Sequence, residues 1–88
     1  MTYPNRIEGR EPIAPIPPDP EGLNDDRAAW AGDAIDAFAR TTGVDDPDDA
    51  VSDLIADLRH WCDRNGVEFE EAVRRAAHHY ETETSEGV

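Results

Sequence analysis

Apolar residues recur along most of this chain with the period of an α-helix. The clearest run is Val51, Leu54, Ile55, Leu58, Trp61 and Cys62, which follows the i, i+3, i+4, i+7 spacing without a break. It predicts a helix from about Pro47 to Asn65. Asp46 is placed to cap it, and Pro47 suits the first helical position, where a missing N–H costs nothing. Asp48 and Asp49 fall in the first turn, where negative charge favours the helix dipole. Gly66 supplies a left-handed stop and Val67 the hydrophobic residue that follows it.

Two further helices read the same way. One runs from about residue 25 to 41, with Asn24 or Asp25 as its cap and Ala31, Ala34, Ile35, Phe38 and Thr42 on one face; Gly43 and Val44 end it. The other runs from about 69 to 83, with Glu68 and Glu71 as a capping-box variant and Phe69, Ala72, Val73, Ala76 and Tyr80 as its face. The two linkers resemble each other. Gly43-Val44-Asp45-Asp46-Pro47-Asp48-Asp49-Ala50-Val51 returns, one residue shorter, as Gly66-Val67-Glu68-Phe69-Glu70-Glu71-Ala72-Val73. Each stops a helix, offers a valine for packing and restarts with acids. The fold class is therefore all-α, a three-helix bundle with helices about 25–41, 47–65 and 69–83 and short connections.

The pattern fails before residue 23. The first 22 residues hold all but one of the seven prolines, and residues 13–20 read Ile-Ala-Pro-Ile-Pro-Pro-Asp-Pro. Proline fixes φ and removes a donor, so this segment favours an extended, polyproline-like tail. The PxxP spacings Pro12/Pro15 and Pro15/Pro18 suit either a docking peptide or an extended tail lying on the domain or in solvent. The organisation is a tail over 1–22, a helical domain over 23–83 and a frayed end over 84–88.

The helical part is small, roughly 60 residues, and a core of that size supplies only about 3–5 kcal/mol without help. Cys62 is the sole cysteine, so no disulfide can form within the chain. A lone thiol on the apolar stripe reads as a small buried hydrophobe and suits a reducing, cytoplasmic setting. No apolar run is long enough to span a membrane. A homodimer or a binding partner is expected to complete the core.

Charge changes the picture most. The 88 residues carry 21 acids against 8 arginines, with no lysine, for a formal net charge of −13. That excess disfavours direct binding to nucleic acid or an anionic membrane, because phosphates attract cations. It favours a basic protein partner, mimicry of nucleic acid, or adaptation to a saline or GC-rich host. The acids are densest from Asp45 to Asp57, a stretch without any positive residue. Asp45, Asp46, Asp49, Asp53 and Asp57 are the candidate interaction ridge, expected to lie opposite the apolar stripe. Like charges at i, i+4 repel by a few tenths of a kcal/mol per pair, so the same row as a plain solvated face carries a cost. Trp30, Trp61 and Tyr80 read as core-edge residues or as partner anchors. No cofactor is expected. His60, Cys62, His78 and His79 lack zinc spacing, because residues 60 and 62 point to different sides of a helix. Arg59, Arg64, Arg74 and Arg75 form the one basic group and are expected to pair with acids on neighbouring helices.

The stretch Asp53-Leu-Ile-Ala-Asp57-Leu, then Trp61, then Gly66-Val-Glu-Phe-Glu-Glu-Ala-Val73 resembles the closing helix pair of MazG-like nucleotide pyrophosphohydrolases. That resemblance implies an all-α fold and Mg²⁺ held by acidic pairs, here Asp33 and Asp36 with Asp53 and Asp57. The pairs are spaced Asp53-x-x-x-Asp57 and Asp33-x-x-Asp36, where the family pattern has Glu-x-x-Asp and a pair of glutamates. Asp57-Leu58-Arg59-His60-Trp61-Cys62, Gly66-Val67-Glu68-Phe69 and Ala77-His78-His79-Tyr80-Glu81 are also similar to small acidic helical proteins of phages, plasmids and high-GC bacterial genomes. The leading expectation is a non-enzymatic interaction module, an inhibitor or adaptor of a mobile element that engages a basic nucleic-acid-binding protein. The alternatives are a degenerate pyrophosphohydrolase and a small self-assembling subunit.

Overall fold

The computed structural model describes residues 6–86. It contains three helices, α1 (Asn24–Thr42), α2 (Pro47–Asn65) and α3 (Phe69–Thr84), and no strand among the described residues. The expected helices are present, with α2 unchanged, α1 longer by one residue at each end and α3 by one at its C-terminus.

The caps explain these boundaries. Asp46 caps α2 as expected: its Oδ1 accepts from the Asp48 N–H at 2.8 Å and the Asp49 N–H at 3.3 Å. Gly66 ends α2 at φ 69°, and the Val67 N–H reaches back to the Cys62 carbonyl at 3.2 Å. The other two expected N-caps do not form. Leu23 occupies the cap position of α1, and Asp19 from the tail takes over the work by accepting the Asn24 N–H at 3.3 Å. Asn24 lies inside the helix, where its side chain has another use. Glu68 makes no side-chain cap bond to α3, and the Glu71 carboxylate, which would complete the capping box, turns to Arg74 and Arg75.

The three helices meet at their ends. Gly43–Asp46 joins α1 to α2, and Gly66–Glu68 joins α2 to α3. The third corner is closed by side chains: Asn24 Nδ2 donates to the Glu83 carbonyl at 2.9 Å, and Arg27 Nε lies 3.2 Å from the Glu83 carboxylate. The result is a flat bundle, 40 × 35 × 19 Å. Its radius of gyration is 14.5 Å, against about 12 Å for a compact domain of this length.

Flatness leaves little core. Ala39, Ala50 and Cys62 are the buried hydrophobic residues, with Gly32 and Asp36 buried beside them on α1, and no large side chain is fully enclosed. Cys62 is thus the small buried residue the stripe implied. Two expected faces are corrected. On α1 the buried row is Gly32, Asp36 and Ala39; Ile35 and Phe38 are half-buried, while Ala31, Ala34 and Thr42 are exposed. On α2 only Leu54 of the large stripe residues is half-buried, and Val51, Ile55, Leu58 and Trp61 are exposed. A shallow helix–helix contact can cover a glycine or an alanine completely while leaving half of an isoleucine outside. α3 has no buried residue at all.

The tail from residue 6 to 22 forms turns, with Arg10 N–H to the Ile7 carbonyl and Gly22 N–H to the Asp19 carbonyl, both at 3.1 Å. It lies over α1 and α2, leaving an open groove of about 420 Å³ between Ile7, Pro12 and Ile16 on one side and Gly32, Ile35 and Val51 on the other. Arg10 pairs with Asp48 at 3.2 Å and ties the tail to the start of α2. Residues 1–5 of the expected tail and residues 87–88 of the expected frayed end lie outside the described residues; Thr84 belongs to α3, its Oγ1 donating to the Tyr80 carbonyl at 2.8 Å.

Candidate functional site

The rise and turn of α2 decide how its acids are arranged. Each step of four residues advances about 40° around a helix axis. Asp49, Asp53 and Asp57 therefore form a slow spiral, and the fourth member of the row is Trp61. The spiral does not run opposite the apolar stripe along its whole length, as expected from spacing alone. It begins opposite at Asp49 and reaches the stripe's edge at Asp57, about 20° from the direction of Ala50. All three carboxylates are exposed, and Trp61 is 56% exposed.

Asp45 and Asp46 differ from the other three. Asp46 holds the first turn of α2 in place, so its carboxylate is already bound to backbone N–H groups. Asp45 stands one residue before it in the linker, exposed. The usable row is Asp49, Asp53, Asp57 and Trp61.

The arginines that form ion pairs are placed elsewhere. Arg10 pairs with Asp48, Arg27 with Glu21 and Glu83, Arg40 with Asp36, Arg59 with Glu70, and Arg74 and Arg75 with Glu71. Arg59 also stacks over Phe69, 5.6 Å from the ring centre, and Arg64 donates to the His60 carbonyl at 3.0 Å. Of the four-arginine group, only Arg59 crosses to another helix for its acid. Among the described residues none of these cations reaches Asp45, Asp49, Asp53 or Asp57. The guanidinium of Arg74 holds the Glu71 carboxyl below its ordinary range; slight desolvation opposes this and Arg75 adds to it. That pairing lies on α3, away from the row.

The Mg²⁺ arrangement implied by the MazG-like resemblance is not assembled. Among the described residues no three His, Cys, Asp or Glu side chains come together in a group that could hold a metal, so Asp33, Asp36, Asp53 and Asp57 are not brought together. The burial of Asp36 was not foreseen. Its Oδ2 pairs with Arg40 one turn on, while Oδ1 is enclosed without a hydrogen-bond partner. A buried polar atom left so costs about 1–3 kcal/mol. The sequence signal was present, since Asp36 lies four residues from Gly32 on the smallest face of α1, but periodicity in hydrophobic residues passes over it.

The three expected anchors are all open to solvent, Trp30 at 64% and Tyr80 at 59% besides Trp61. Trp30 lies on α1, while Tyr80 faces the start of α1 beside Arg27 and Ala28. No helix is long and apolar enough to cross a membrane. Family models, curated proteins and solved structures contain no match to this chain.

Proposed function

We propose that this chain is a non-enzymatic interaction module that engages a basic protein through the outer side of α2. The observation that carries this reading is the row Asp49, Asp53, Asp57 and Trp61. It offers three unneutralised carboxylates at a regular spacing and ends on an exposed indole, in a chain where, among the described residues, six of the eight arginines pair with other acids. Carboxylates recognise arginine and lysine, and an indole face adds a cation–π contact. Side chains of a nucleic-acid-binding protein that normally meet phosphates fit such a row, which makes an inhibitor or adaptor of such a protein the best-supported role.

The test replaces Asp49, Asp53 and Asp57 together by Asn. Partners are captured from lysate of the source cells, and each is purified and titrated against both chains at matched salt. The expected result is a basic partner whose affinity falls at least about tenfold in the triple variant, with helicity by circular dichroism retained and a weaker salt dependence. Equal affinity for the two chains would mean that the row is only a solvated face.

A further inference from the structure

We propose that a second copy of this chain covers the half-exposed apolar rows of α2 and α3, so that the folded unit is a homodimer. This stands independently of the basic partner assigned to the acidic row.

The first argument is area. The chain exposes 6954 Å², whereas a compact 9.7 kDa protein exposes about 5,100 Å². The surplus is roughly 1,800 Å². The tail accounts for part of it, with Ile13 and Ile16 outside. Even half of the surplus matches the roughly 800 Å² per partner that a stable dimer buries.

The second argument is where the exposed surface lies. On α3, Phe69, Val73, Ala76 and Tyr80 fall within about 60° of one another around the axis. On α2, Ile55 and Leu58 fall within about 60° of one another, with Val51 between them at the edge of the groove under the tail. No charged residue lies inside either arc. Val51, Ile55, Leu58, Val73 and Tyr80 are nevertheless all exposed. Two copies can bring these rows together without opposing their carboxylates, which matters for a chain of net charge −13.

The third argument selects the occupant. A core of Ala39, Ala50 and Cys62 is too small to hold three helices against chain entropy. Whatever covers the rows must be present whenever the chain folds. Another copy is present wherever the chain is made, and the uncharged rows contain nothing that selects a basic protein.

The experiment is sedimentation and thermal melting of the full chain over a hundredfold range of concentration. The expected result is a mass twice 9.7 kDa, with a melting temperature that rises by about 5 °C for each tenfold increase. Leu58→Glu should give the single-chain mass. Ser52→Glu, on the outer side of α2, should keep the doubled mass. Should Leu58→Glu fail to fold, the concentration dependence of the native chain still decides. A single-chain mass with a cooperative, concentration-independent melt overturns the proposal, as does a doubled mass that Leu58→Glu leaves intact.

Discussion

Asp46 and Asp49 stand three positions apart in one acidic run and do different work. The carboxylate of Asp46 accepts two backbone N–H groups that α2 would otherwise leave unpaired. That of Asp49 accepts nothing in the structure and faces solvent. Exchanging Asp46 for Ala should cost about 1 kcal/mol, the usual value of an N-cap, and thermal melting of the variant checks it. Asp49→Ala should cost less, since only its favourable place near the helix dipole is lost. Asp36 is the residue at which composition misleads. It reads as one more surface acid, yet the close approach around Gly32 and Ala39 encloses it beside Arg40.

At the level of the element, α1 and α2 end as their local chemistry dictates, while the start of α1 depends on a more distant residue. Gly43 and Gly66 hold left-handed conformations at φ 81° and 69°. Nothing lies near the position a Cβ would take at Gly66. Gly66→Ala should therefore be destabilising by about 1 kcal/mol through backbone strain alone, with no steric clash. A melting curve displaced by much less than this would mean that the α2–α3 corner relaxes. Helix starts follow a different logic. Asp46 precedes Pro47 directly and could be recognised as a cap; Asp19 serves α1 from five residues away, across a turn that positional rules do not describe.

For the whole molecule, two facts work against stability: the thinness of the fold and the excess of negative charge. Six of the eight arginines form ion pairs, all with acids outside the α2 row. Exposed pairs of this kind add little. Repulsion among the remaining acids should dominate the response to salt, because the Debye length falls from about 30 Å at 0.01 M to about 3 Å at 1 M. The melting temperature should accordingly rise as NaCl is added at pH 7. A fall would show that the ion pairs, above all Arg27 with Glu83 at the third corner, outweigh the repulsion. Thinness acts in the same direction as the charge: it denies the apolar stripes a covering layer and leaves them for another molecule.

By itself the sequence determined the helices, because a period of 3.6 residues, a proline at the first position of α2 and glycines at two helix ends are local properties of the chain. It determined the density of charge on α2 for the same reason. The tertiary structure alone decided which apolar residues are inside. Periodicity shows that Leu58, Trp61, Val73 and Tyr80 share helix faces, but it cannot say whether anything lies against those faces. That depends on the angles at which α1, α2 and α3 cross, and these are set by contacts between residues far apart in sequence, such as Asn24 with Glu83. Helices joined at their corners bury only small residues such as Ala39, Ala50 and Cys62 and leave their large side chains half outside.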